Sequence, residues 1–295
     1  MTHRWAGILG ATLALGLLAA ACGEPQDGGG GTGDTGGTGG AIEHPTGADD
    51  LVLRWEYTGG FVPYEYNLSR IPSWSLYGDG RVIVEGPMIE IYPPPTPPSL
   101  LVTRLSEDGV QAILGAAEDA GLMDGDATYD YPCIADAATT VFTTNAGGRT
   151  SVVSAYALGD AMGGSCPDVD DEARQALADF QTSLGDLASW LPEGSVGVEE
   201  PFAYDEMRIY AQPYQGEPEL PQQPVDWPLA TGLGDFGASV DAGGISELRC
   251  GVVSGADLEA VLGTAQGTNE LTPWTSDGDE YRLILRPLLP DEHGC

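Results

Sequence analysis

The side chains able to do chemistry in this chain are 45 carboxylates, 11 arginines, three histidines and five cysteines, with no lysine at all. His3 stands at the start, His44 in a glycine-rich stretch and His293 near the last residue. A Ser-His-Asp or Cys-His site needs its imidazole held between a nucleophile and an orienting group. None of the three positions predicts such a mount. No GxSxG, HExxH or GxxxxGK[ST] pattern occurs, and without lysine neither a Schiff base nor a P-loop can form. An enzyme built here would work with carboxylates, tyrosines and arginines. No catalytic residue and no cofactor is assigned, and the residue set leans away from catalysis.

Calcium is the natural question for so acidic a chain. DGDATYDY, Asp124 to Tyr131, opens like a calcium loop but carries Thr128 at the fifth position and Tyr129 where glycine is required. No metal site is predicted. The acidity also excludes nucleic acid as a partner, because scattered arginines cannot form a basic stripe against a formal net charge of −34. Four cysteines, Cys133, Cys166, Cys250 and Cys295, lack metal-ligand spacing and read as two disulfides of an exported chain. Three pairings are possible, and the sequence-local choice is Cys133–Cys166 with Cys250–Cys295. Closing loops of this size contributes about 3–4 kcal/mol each.

A further cluster is aromatic. WEYTGGFVPYEYNLSRIPSW, residues 55–74, is followed by the proline-rich YPPPTPPS, residues 92–99. Tyr57, Phe61, Tyr64, Tyr66, Trp74 and Tyr92 are the candidate binding surface, since exposed tyrosine and tryptophan favour recognition. The competing expectation is that alternate aromatics of a strand, such as Trp55 and Tyr57, face a core.

What must position these residues begins with the N-terminus. Arg4 precedes an apolar run, Ala6 to Ala21, which is too short for a spanning helix of about 20 residues and ends at Cys22. The junction Leu17-Leu-Ala-Ala-Ala-Cys22-Gly23 resembles the lipobox of bacterial lipoproteins. That resemblance implies cleavage before Cys22, diacylation of its thiol and attachment to a membrane. Two acyl chains suffice for a stable anchor where one does not. The glycine-rich, acidic stretch up to Asp50 cannot build a core. As a flexible coil it spans about 30 Å, well beyond a Debye length of about 8 Å at physiological salt. An acidic body is thereby kept clear of an anionic bilayer.

The rest reads as mixed α+β. Leu51 to Tyr57 alternates as a strand, and SWSLYGDGRVIVEG predicts a hairpin turning at Asp79-Gly80. YPPPTPPS predicts a polyproline-like loop. Ser106 caps a predicted helix with Val110, Ile113, Leu114 and Ala117 on one face, ending near Gly121. TTVFTTNAGGRTSVVSAY predicts a second hairpin, and a longer helix is expected from Asp168 with Leu177, Phe180, Leu184 and Leu187 inward. Strands are expected at 206–211, 247–253 and 280–286, with a capping box at Ser254–Asp257 leading a short helix.

The segments LYGDGRV, LSEDGVQAILGAAEDAGL and TPWTSDGDEYRLILRPLLPDE are similar to stretches of uncharacterised extracytoplasmic lipoproteins of high-GC bacteria. The resemblance implies an exported domain and carries over no active site. The expected organisation is a signal peptide over 1–21, a flexible linker over 22–50, and two small α+β units of antiparallel hairpins and packed helices over 51–195 and 196–295, stapled by disulfides. The expected function is a lipid-anchored, non-catalytic binding module of the cell envelope, whose partner is an envelope protein or ligand. The alternatives are a lipid or small-ligand carrier with an apolar cavity and, less favoured, a carboxylate-based hydrolase. The expected location is the extracytoplasmic face of the cell membrane, or the outer membrane where there are two.

Overall fold

Alternating side chains in LVLRWEYTG start the first layer. The computed structural model describes residues 40–87, 90–159, 166–216, 218–241 and 247–295. The expected signal peptide, Cys22 and the linker up to residue 39 lie outside the described residues. From Leu51 the chain forms β1 (Leu51–Gly59), α1 (Tyr64–Ser69), β2 (Trp74–Tyr77), β3 (Arg81–Glu85), β4 (Leu100–Arg104) and α2 (Glu107–Asp119). It continues through β5 (Ala127–Tyr129), β6 (Ala138–Ala146), β7 (Arg149–Tyr156), α3 (Asp171–Ser183) and β8 (Glu200–Pro201). The second half supplies β9 (Glu206–Pro213), β10 (Val225–Asp226), β11 (Ala238–Ser239), β12 (Arg249–Ser254), α4 (Gly255–Ala265), β13 (Trp274–Ser276) and β14 (Asp279–Pro287).

Two sheets result, making the protein mixed α+β. The first has the order β5-β7-β6-β1-β2-β3-β4-β8, and the second β10-β13-β14-β9-β12-β11. Pairing is antiparallel except for β5 with β7 and β10 with β13. The first sheet is completed by β8, just past the expected boundary at 195/196, and residues 41–295 form one compact unit.

Each face of the first sheet has its own cover. Leu53, Trp74, Leu76, Val82 and Phe142 pack under Val110, Ile113, Leu114 and Ala117 of α2 and Leu177 and Phe180 of α3. The opposite face buries Tyr77 and Ile83 with Ile71, Leu100 and Leu289, the last from the segment after β14. In the second sheet, Met207, Ile209, Val253, Leu283 and Leu285 pack with Leu258 and Val261 of α4. Its other face carries Tyr210, Cys250 and Ile284, and Leu68 of α1 packs there. The short helix α1, which the sequence reading does not anticipate, therefore bridges the two halves.

Local chemistry explains most boundaries. The β2–β3 turn needs Gly80, which has φ +80° and whose missing Cβ would lie 2.6 Å from the Leu105 carbonyl oxygen. The α2 cap forms as expected, with Gly109 N donating to Ser106 Oγ at 3.4 Å. Helix α3 begins at Asp171 rather than Asp168, because Asp170 supplies the cap and accepts from Ala173 N at 3.0 Å. The expected capping box of α4 does not form. Gly255 at φ +52° enters the helix through a left-handed residue, and the Ser254 side chain makes no capping bond.

Both disulfides pair as the local choice predicts, with S–S distances of 2.08 Å for Cys133–Cys166 and 2.04 Å for Cys250–Cys295. The last ten residues of the expected linker are fixed on the body. Ile42 N donates to Gln111 Oε1 at 2.7 Å, and Gln111 Nε2 donates back to Ile42 O at 2.9 Å. Gln111 Nε2 also donates to Glu107 Oε1 at 2.8 Å, and this bond, with the one from His44 at 3.1 Å, holds the Glu107 carboxyl below the usual range; the other His44 ring nitrogen lies 2.6 Å from Pro45 O. Among the described residues no helix is long and apolar enough to cross a membrane.

Candidate functional site

The aromatic segment is mounted where the two halves meet. β1 ends at Gly59 and Gly60, whose φ values of +64° and +86° turn the chain sharply outward. Phe61 N then donates to Asp136 O at 3.0 Å, which fixes the start of the loop. Pro63 leads into α1, whose Leu68 is seated on the second sheet. Leu68 is partly buried there, while Tyr64 and Tyr66 of this single helical turn and a half are exposed. Arg70 closes the arrangement. Its guanidinium lies 5.0 Å from the Tyr66 ring centroid, and its Nη1 donates to Tyr57 O at 3.2 Å. Gln181 Nε2 of α3 donates to Tyr57 Oη at 3.2 Å.

The outcome for the six candidates is uneven. Phe61 is 88 % exposed and Tyr66 54 %, with Tyr57 and Tyr64 both at 40 %. These four share one ten-residue segment and are all exposed. Trp74 turns the other way and is buried at 3 % in the helix-covered core. Tyr92 is exposed but belongs to a different mount. Its proline-rich loop is bonded to the loop after α4, with Thr96 N donating to Thr268 O at 3.2 Å and Glu270 N to Pro94 O at 3.1 Å.

Beside this face the helix-covered side of the first sheet leaves a cleft of about 430 Å³ between the strands and the end of α3. Its floor holds Trp55, Trp74 and Val84, in register across three strands. Trp55 meets Tyr57 edge to face at 5.3 Å, so the exposed face and the cleft are continuous. The Trp55 indole N–H is shielded from water and has no hydrogen-bond acceptor. Buried indole N–H groups normally find one.

Sequence reasoning missed a second concentration of chemistry on the opposite face of β1. Arg54, 8 % exposed, donates from Nε to Ser75 Oγ at 3.0 Å, and from Nη2 to Tyr77 Oη at 3.1 Å and Asp291 Oδ1 at 2.7 Å. Tyr77 Oη donates to the same Asp291 oxygen at 2.7 Å. Nearby, Arg286 clamps Glu292 with bonds of 2.8 and 2.7 Å and donates from Nε to Arg70 O at 2.7 Å. Burial works against the Arg54 charge, but Tyr77 and Asp291 outweigh it and hold the guanidinium above its ordinary range. Burial pushes the Tyr77 phenol well up, so it acts as a donor. Glu56 lies in the field of this group. Burial pushes its carboxyl up, Arg54 and Arg286 pull it down, and Glu292 and Asp291 push it further up.

These groups are committed to one another. Asp291 and Glu292 spend their oxygens on arginine, tyrosine and backbone donors, which ties the last described segment to both sheets. A hint lay in RPLLPDE, where an arginine and an acid stand six residues apart around prolines, but nothing local points from there to Arg54. The aborted calcium loop is likewise used structurally, with Val152 N donating to Asp126 Oδ1 at 2.8 Å. Among the described residues no group of three or more histidine, cysteine or carboxylate side chains is placed to hold a metal ion. No protein-family model, curated protein or solved structure matches this chain.

Proposed function

We infer that this protein is a lipid-anchored recognition module of the cell envelope, held through acylated Cys22 and presenting the Tyr57–Phe61–Tyr64–Tyr66 face to a partner. The observation that carries this reading is Phe61, a phenylalanine 88 % exposed among three further exposed aromatics on a braced segment. Large aromatic side chains displayed together on a rigid mount are the composition of recognition surfaces, and a flexible surface would lose more entropy on binding. The acidic tether fits the same picture, because it holds the face away from the bilayer on a covalent anchor.

The test has two arms. Metabolic labelling with palmitate should mark the wild-type chain and spare Cys22→Ala. A photo-crosslinking residue at position 61, in intact cells, should give one defined adduct that is lost with Tyr66→Ser. The same probe at Val198, which is 82 % exposed and outside the aromatic face, should give none. Matching adducts from both positions would remove the recognition reading, and palmitate on the Cys22→Ala chain would remove the anchor.

A further inference from the structure

We propose that His44 is a protonation latch: residues 41–46 are strapped to the first sheet and α2 while the imidazole carries both its protons, and lift when one is lost. The latch is a property of the folded body alone. Only its bearing on a membrane rests on the Cys22 anchor.

The strap lies where the sequence leads one to expect linker, yet separate elements hold it along its length. Ile42 exchanges two bonds with the Gln111 side chain of α2 and packs against the helix-covered core. In the turn between β6 and β7, Gly147 N donates to Glu43 O at 2.7 Å. The turn between β2 and β3 makes room at Gly78, where a Cβ would lie 2.7 Å from Pro45 O. Backbone and amide groups make these contacts, so none of them titrates. His44, in the middle of the strap, is the exception.

Its side chain is 5 % exposed and both ring nitrogens face oxygens, Nδ1 at 2.6 Å from Pro45 O and Nε2 at 3.1 Å from Glu107 Oε1. A carbonyl oxygen can only accept, and a neutral imidazole has a single N–H to give. A neutral ring could bridge both oxygens only if Glu107 carried the proton. Gln111 Nε2 donates to that same Glu107 oxygen at 2.8 Å, as it would to a carboxylate, and the carboxyl is held below its ordinary range. The imidazolium, a donor at both nitrogens, is the form this geometry fits.

The charges around the ring agree with that form. Glu107 faces it from α2, the strap's own Glu43, Asp49 and Asp50 line the adjoining cavity, and Arg149 after the β6–β7 turn is the arginine that lines it with them. Arg81, which follows the β2–β3 turn, is spent on Asp79 and the Ala48 carbonyl. Removing the proton leaves a ring lone pair against either Pro45 O or Glu107. Because Glu107, Gln111 and Ile42 are joined through one amide side chain, the loss spreads along the strap. The sign follows. Docking is complete at pH 5 and weakens as pH rises towards 8, the window in which histidine changes charge. Six freed residues span about 20 Å when extended. In a chain held at Cys22 they would let the body stand further from the bilayer.

The experiment uses the full-length chain carrying Cys22→Ser, exported to an oxidising compartment. Amide hydrogen exchange is read at pH 5 and pH 8, each rate divided by that of an unstructured peptide at the same pH. The Ile42 and Gly147 amides report the strap from its two sides. Their protection should be about fivefold lower at pH 8, the size of a partly exposed ion pair. His44→Gln keeps a donor and an acceptor but cannot gain charge, and should give the lower protection at both pH values. Glu107→Gln should shrink the difference. The Ile113 and Leu114 amides of α2 should stay protected throughout, which separates lifting of the strap from loss of fold. Equal protection of Ile42 and Gly147 at the two pH values, a pH dependence that persists in His44→Gln, or parallel loss at Ile113 and Leu114 would overturn the latch. A chain that takes up no palmitate would remove only the link to the bilayer, since the exchange is read without acyl groups.

Discussion

The two faces of the first sheet are covered by different means. On one, α2 and α3 lay down an apolar surface, with buried Arg174 donating to the carbonyls of Tyr129, Tyr156 and Ala157. On the other, a segment from the far end of the chain brings Asp291 and Glu292 onto Arg54, Tyr77 and Arg286, and each charge finds a counterpart. The helical cover is specified by hydrophobic periodicity and tolerates vacancies at its edge. The ionic cover is specified by geometry, and a half-made version costs more than none.

That contrast can be broken most severely at Arg286. Arg286→Met leaves Glu292 buried without its clamp and should cost about 3–5 kcal/mol in urea unfolding. Adding Glu292→Leu should recover most of the loss, since an apolar pair of similar bulk carries no desolvation penalty. If the double variant is no better than the single one, packing rather than charge pairing holds that face. On the helical side, Leu114→Ala removes a fully buried side chain and should cost about 2–5 kcal/mol, with no rescue by any charge change. Ser106→Ala removes the α2 cap and should cost about 1 kcal/mol, visible as a small drop in melting temperature.

The smallest effect concerns pH. Glu56 takes up a proton more readily in the folded state than in the unfolded one. Its contribution to stability is therefore fully present below the ordinary glutamate range, about 4.3, and is lost as pH rises through its elevated value. Glu56→Gln should raise stability at neutral pH and flatten this part of the profile. A variant whose stability between pH 4 and pH 7 parallels the wild type would remove Glu56 as the source.

Legibility in the sequence follows the same division. Ser106 with Val110, Ile113, Leu114 and Ala117 announces α2, because cap and stripe are separated by single turns. Asp79-Gly80 announces the hairpin, and of three possible cysteine pairings the sequence-local one forms. Each of these signals lies within a few dozen residues. The capping box at Ser254 misleads, since spacing says nothing of the backbone angle that Gly255 adopts. Helix α1 is hidden because its six residues are held by Leu68 on the second sheet rather than by propensity. Of the candidate surface, Tyr57, Phe61, Tyr64 and Tyr66 are exposed, whereas Trp74 is buried in the core under α2 and α3. Alternation placed Arg54 and Glu56 on one face of β1 but could not say that another segment would cover them.

Arg54 and Asp291 are 237 positions apart. As the chain is made from its N-terminus, β1 and its neighbours can pair and the helices can close over them, all from local contacts. The underside of the sheet must wait. Until residues 286–292 arrive, Arg54 and Tyr77 face water, and the lower surface stays open to solvent and to other chains. Assembly thus ends with a single late docking, so a chain cut short before Arg286 would keep its helices and still leave the first sheet half covered.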